Sequence, residues 1–166
     1  MSYIPKKRND ISDNHSRETN KEVRAVANYI VVGLNEEKFA LPITDIQEII
    51  KDMPITEIPA ARAHVKGVIN LRGTIVPVIG LRSKFRMMES HTTAASRIVI
   101  VQTPEGEPVG LYVDRVEQVA FFSEILPTPD GIGGAQAGNL SGIGKINDQL
   151  VSILHLPSIL NTGGGQ

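Results

Sequence analysis

A stretch of this chain occurs twice. Val65–Leu81, VKGVINLRGTIVPVIGL, returns without a gap as Leu140–Leu156, LSGIGKINDQLVSILHL. Gly67, Val68, Leu71, Ile75, Val76, Val78, Ile79 and Leu81 meet Gly142, Ile143, Ile146, Leu150, Val151, Ile153, Leu154 and Leu156. The echo extends backwards: Ile30-Val31-Val32-Gly33-Leu34 and Ala40-Leu41-Pro42-Ile43 answer Ile98-Val99-Ile100-Val101-Gln102 and Gly110-Leu111-Tyr112-Val113. Ile46-Gln47-Glu48-Ile49 likewise answers Val116-Glu117-Gln118-Val119. Two copies are too few for a propeller, so the chain reads as one β module used twice.

Within each copy, short β-branched runs are punctuated by Gly, Pro, Asn and Asp, the pattern of a small barrel or sandwich. Strands are expected at Asn28–Leu34, Phe39–Ile43, Gln47–Lys51, Gly67–Leu71 and Thr74–Ile79, then at Arg97–Gln102, Val109–Val113, Val116–Phe121, Leu140–Ile146 and Gln149–Leu154. The expected fold is all-β: two SH3-like five-stranded barrels packed side by side, one per copy, at about 28–90 and 96–160. Arg72-Gly73 and Asn147-Asp148 mark tight hairpins between apolar runs. Short helices are expected at Ser83–Met88 and Pro157–Leu160, with a turn or two at Pro59–Val65. Residues 1–27 are polar and charged in both signs and read as a flexible tail, 161–166 as another, and Pro127–Asn139 as a loop.

Composition narrows the function. With 166 residues, 41% of them hydrophobic, the chain can bury a sizeable core, and with 4% aromatics that core must be aliphatic. The net charge of -1 leaves no electrostatic footprint for nucleic acid or an anionic membrane, and protein partners are expected. No cysteine is present, which removes disulfides, thiolate metal sites and thiol nucleophiles. Neither a signal-peptide pattern nor a membrane-spanning apolar run occurs, so a cytoplasmic protein without membrane insertion is expected. His15, His64, His91 and His155 lack ligand spacing, and Gly131–Gly134 is not followed by the Lys-Ser/Thr of a phosphate loop. Neither an enzyme nor a cofactor is expected.

Polar groups set among apolar ones stand out instead. Alternation places Lys66, Val68, Asn70 and Arg72 on one strand face, with Arg72 at a hairpin tip beside Asn70. Its planar fork suits a carboxylate, either on a partner or on a nearby Glu or Asp of the same chain. In Ile46-Gln47-Glu48-Ile49-Ile50 a carboxylate lies amid three isoleucines, which fits either a binding strip or an ordinary amphipathic strand. If that strand is extended throughout, Ile46 and Glu48 share a face.

Asp45–Ile49, Val65–Val78 with its Gly-Val-Ile-Asn-Leu-Arg-Gly core, Val113–Val116 and Leu140–Gly144 closely resemble the CheW family of bacterial chemotaxis coupling proteins, in order and over about residues 28–160. The resemblance implies two SH3-like barrels around a shared apolar interface. It also implies a non-catalytic adaptor joining the cytoplasmic domain of chemoreceptors to the regulatory domain of the histidine kinase CheA. It puts Arg72 and Ile46–Glu48 on coupling surfaces, and an apolar groove including Ile43, Ile46 and Val113 where a receptor helix packs. The partner-binding set is thus Ile43, Ile46, Glu48, Asn70, Arg72 and Val113. Coupling proteins of pilus motility or developmental signalling share the pattern, and a small-molecule-binding barrel is the distant alternative. One departure is Gly80, where the family often has Asp, which removes a carboxylate near Arg72 and Arg82. The tail before Asn28 is also long for the family.

Overall fold

The computed structural model describes residues 28–128 and 138–161. The expected tails and most of the expected loop at Pro127–Asn139 lie outside the described residues. In chain order the elements are β1 (Asn28–Leu34), β2 (Glu37–Pro42), a 3-10 turn (Ile43–Asp45), β3 (Ile46–Lys51), β4 (Val65–Leu71), β5 (Thr74–Gly80) and α1 (Leu81–Lys84). The second series is β6 (Arg97–Gln102), β7 (Pro108–Val113), β8 (Arg115–Phe121), β9 (Ile125–Leu126), β10 (Leu140–Ile146), β11 (Gln149–Leu154) and α2 (Leu156–Leu160). The all-β architecture with two sheets and few short helices is as expected. Pro59–Val65 forms turns and not a helix, and α1 begins two residues earlier and ends well before Met88.

The copies, however, are not the barrels. One sheet runs β3-β6-β7-β5-β4 and the other β8-β1-β2-β11-β10-β9, so each takes strands from both copies. The expectation that each copy closes its own barrel is corrected by this exchange. Its physical basis lies in the parallel pairings at the crossover: β5 lies beside β7 with Val78 opposite Gly110, and β11 lies beside β2 with Ile153 opposite Ala40. Those contacts are equivalent under the repeat, and they relate strands from different copies. The exchange also moves the β1–β6 correspondence by one residue. Val32 and Val101 oppose Val116 and Ile46, and Ile30 and Val99 oppose Val119 and Ile49.

Exchange explains why β1, β2, β6 and β7 carry continuous apolar runs, the signature of strands covered on both faces. Val32, Leu34, Phe39, Leu41, Val99, Val101, Leu111 and Val113 turn into a core shared by the two barrels, where Leu81, Phe85, Leu156 and Ile159 also sit. The opposite faces fill the separate barrel interiors: Tyr29, Val31 and Ala40 with Phe122, Val151 and Ile153 in one, Ile98 and Ile100 with Ile69, Val76 and Val78 in the other.

Each barrel is closed by one bent strand. The chain leaving β3 at one edge reaches Thr56, which exchanges 2.9 Å hydrogen bonds with Val68 of β4 at the other edge. β8 continues likewise to β9, which pairs with β10. The repeated glycines Gly67 and Gly142 stand at these closures. A Cβ on Gly67, where φ is 150°, would lie 2.2 Å from the Thr56 carbonyl oxygen, and one on Gly142 would lie 2.8 Å from that of Leu126. Only glycine admits such close approach of two backbones.

Candidate functional site: the barrel-one tip and the margin of the shared core

The β4–β5 hairpin turns on Arg72 and Gly73, both with positive φ, as do Asn147 and Asp148 in the second copy, the geometry that suits the twist of the flanking strands. The Gly73 N–H donates to Asn70 Oδ1 at 2.8 Å, bracing the turn from its own strand. Arg72 extends from the tip, mostly exposed, and both of its terminal nitrogens donate to the carboxylate of Glu48 on β3. Of the two partners open to Arg72 on sequence grounds, the free protein uses the internal one. Hydrogen bonding to Glu48 and then its charge raise the guanidinium pKa above its ordinary value. The exposed Ile75 stands on β5 just beyond the turn.

Glu48 and Ile46 do not share a face. The β3–β6 register slips between Ile46, opposite Val101, and Glu48, opposite Ile100. Val101 belongs to the shared core and Ile100 to the barrel interior. Paired residues on neighbouring strands project to the same side, so Ile46 points to the shared core while Glu48 points to the barrel side, where Arg72 meets it. The extra residue is Gln47, a β-bulge that re-aims the strand. β8 slips at the equivalent place against β1.

Ile30, Ile46, Ile49 and Val116 are half-buried and pack against the shared core, forming its solvent margin, and Ile43 is half-buried in the 3-10 turn just before β3. Val113 differs. It is fully buried in the shared core, because strand exchange makes β7 an inner strand covered on both faces, so it is corrected from groove residue to core residue.

A polar cluster that sequence reasoning missed spans the two copies. Asp114, between β7 and β8, accepts from Arg82 Nε at 2.8 Å, from a second Arg82 nitrogen, and from the Asn35 N–H at 2.6 Å in the β1–β2 turn. Arg82 also donates to the Met88 carbonyl at 2.7 Å, and Arg115 to the Asn35 carbonyl at 2.7 Å. Burial alone would push the Asp114 carboxyl up, but Arg82, the Asn35 N–H and the charge of Arg115 outweigh it and hold it below the ordinary value. With Gly80 bringing no carboxylate, each arginine pairs elsewhere: Arg82 takes Asp114, and Arg72 takes Glu48. The only signal in the sequence was two adjacent opposite charges, Asp114-Arg115, between apolar residues.

Beside this cluster a cleft of about 260 Å³ is lined by Lys66, Arg82, Tyr112 and Asp114. Lys66 lies 4.7 Å from the Tyr112 ring centroid and 3.7 Å from Glu89, so its charge is already engaged. His64 contacts Ser83 at 2.9 Å, and burial, followed by Lys84 and Arg86, lowers its pKa against an opposing Ser83 contribution. His155 caps α2, its Nδ1 accepting from the Ser158 N–H at 3.3 Å. Among the described residues no group of three or more His, Asp or Glu could hold a metal, and no helix is long and apolar enough to cross a membrane.

The family model of the CheW-like domain matches residues 28–163, the whole of both barrels. The chain belongs to the CheW family. It is 33% identical over 154 residues to the chemotaxis protein CheW of Helicobacter pylori, covering 91% of this chain and 90% of that protein. The crystal structure of the scaffolding protein CheW from Thermoanaerobacter tengcongensis superposes with a TM-score of 0.77 at 34% identity, covering 85% of this chain and 92% of the other. A segment of the chemotaxis protein CheA of Bacillus subtilis is 30% identical over 90 residues, 54% of this chain and 13% of that protein.

Proposed function

We propose that this chain is a non-catalytic chemotaxis adaptor that couples the cytoplasmic tips of chemoreceptors to the histidine kinase CheA. Membership in the CheW family carries the reading, and the likeness to a segment of CheA supports the kinase as one of the partners. Two surfaces are available for the coupling. One is the apolar margin with Ile43 and Ile46, suited to the apolar stripe of a helix. The other is the barrel-one tip, where Asn70 and the Arg72–Glu48 pair stand beside exposed Ile75. An exposed charge pair next to an apolar residue offers the mix of anchor and polar rim that binding surfaces use. In this reading the protein works at receptor assemblies on the cytoplasmic side of the membrane without entering it.

The test is titration of the full chain against a receptor cytoplasmic fragment and against the kinase regulatory domain separately. Binding to both, with one complex retaining all three, is the expected result. Failure to bind either fragment would overturn the adaptor reading.

A further inference from the structure

Charge is segregated along this chain. Residues 58–88 hold six of its 17 basic side chains and none of its 18 acidic ones, so this stretch carries +6 and the remainder -7. The repeat shows that the fold does not require those cations: at the same spacing Lys66, Arg82, Lys84 and Arg86 meet Ser141, Pro157, Ile159 and Asn161 in the second copy. Three of the six are engaged within the chain, Lys66 with Glu89, Arg72 with Glu48 and Arg82 with Asp114. Arg62, Lys84 and Arg86 form no ion pair with another described residue.

These three stand around an open cleft of about 490 Å³. Ile55, Ile58, Ala60 and Ala61 supply its apolar lining, and Ile58 is 44% exposed. His64 and Ser83 supply polar lining. Arg62 is exposed between two lining residues, Ala61 and His64, while Lys84 and Arg86 are close enough to His64 to lower its pKa. Of the two carboxylates in the lining, Glu89 is taken by Lys66, which leaves Glu57 against three cations.

The backbone is strained at the same place. Among the described residues, positive φ outside glycine falls at the hairpin turns, Asn35, Arg72, Asn147 and Asp148, and at three other positions, Ala60, His64 and Arg86, with 57°, 73° and 57°. Side chains with a Cβ adopt this conformation at a cost in stability, and such residues gather at binding sites. Here backbone bonds fix it: the Gly80 N–H donates to the His64 carbonyl at 2.8 Å, and the Arg86 N–H to the Ser83 carbonyl at 3.1 Å. Like charges are thus held together against their own repulsion.

We propose that this cleft docks an acidic segment of a partner polypeptide, with one apolar side chain seated against Ile58 and Ala61 and carboxylates paired with Arg62, Lys84 and Arg86. An apolar anchor inside a charged rim is the composition of a peptide-binding surface. A recess also suits a chain better than a bilayer, which is flat on this scale. The cleft uses neither the apolar margin nor the barrel-one tip, so its failure would leave the adaptor reading untouched.

The test titrates the isotope-labelled full chain with a short synthetic peptide that sets one leucine among glutamates. Amide shifts should move at Ala61, His64, Ser83 and Arg86 while Ile75 and Leu150 stay still, and added salt should weaken binding. The His64 imidazole should titrate at higher pH in the complex, because carboxylates offset Lys84 and Arg86. Lys84→Gln with Arg86→Asn should bind several-fold weaker with the fold kept, since Asn tolerates positive φ and is the second copy's own residue there. Absent or displaced shifts, equal binding of a glutamine counterpart, or an unmoved His64 titration at saturating peptide would each overturn the proposal. So would inorganic phosphate reproducing the shifts at the same concentration, which would make this an ion site only. Sedimentation with phosphatidylserine vesicles that is lost in the double variant would overturn it too, by naming a membrane as the occupant.

Discussion

Arg72 occupies a left-handed position, φ 52°, that costs a side chain with a Cβ some strain, and its exposed guanidinium is held, among the described residues, by half-buried Glu48. Exposed ion pairs add little to folding. Arg72→Ala should therefore leave the thermal midpoint almost unchanged while weakening partner binding, read by melting and titration side by side. Gly67→Ala should behave in the opposite way: a Cβ 2.2 Å from the Thr56 carbonyl at φ 150° forces the barrel closure apart. A loss of about 2–4 kcal/mol is expected from chemical unfolding. Asp114 gives a pH signature. Its carboxyl is held below the ordinary 3.8 in the folded protein, so the stability it contributes is present above 3.8 and is lost as the pH falls through the lower folded value. Asp114→Asn should cost about 2 kcal/mol at neutral pH and remove part of the acid dependence below pH 4, measured by urea unfolding across pH.

At the scale of elements, the β3 bulge decides which face each of its side chains takes. Because Gln47 is the extra residue, Ile46 and Glu48 face different sides, the margin of the shared core and the barrel tip. Ile46→Asp should damage the contact that uses the margin and Glu48→Lys the one that uses the tip. Glu48→Lys should also free Arg72 by setting two cations together. Separate titrations against receptor fragment and kinase domain should thus show different selectivity for the two variants, and identical losses for both partners would mean one continuous surface. The hairpin geometry at Arg72-Gly73 and the apolar runs were legible in the sequence, since turn chemistry and β-branched runs act locally. The bulge was not, because a register slip is set by which neighbouring strand a residue meets, and strict alternation is the default reading of any short strand.

For the molecule as a whole, strand exchange makes the two barrels one folding unit. Residues 28–90 alone would leave β1 and β2 without β8 and β11, and β4 and β5 without β7. Each half would expose the apolar faces that fill the shared core. Neither half is expected to fold by itself, whereas co-expressed halves should recover one cooperative complex, checked by circular dichroism and size exclusion; an independently folded half would contradict the exchange.

The repeat, the aliphatic composition and the turn residues by themselves determined that this chain forms two related β barrels, since strand period and hairpin chemistry are local properties. The same residues carried the resemblance to the CheW family. Only the tertiary structure decided which strands share a barrel, that Val113 lies in the core, that Arg72 meets Glu48, and that Arg82 is joined to Asp114. Each depends on pairing between segments far apart in the chain, and under a repeat the sequence alone is nearly indifferent between pairing within a copy and across copies. What breaks that degeneracy is the parallel contact of β5 with β7 and of β11 with β2, which buries both faces of the inner strands at once.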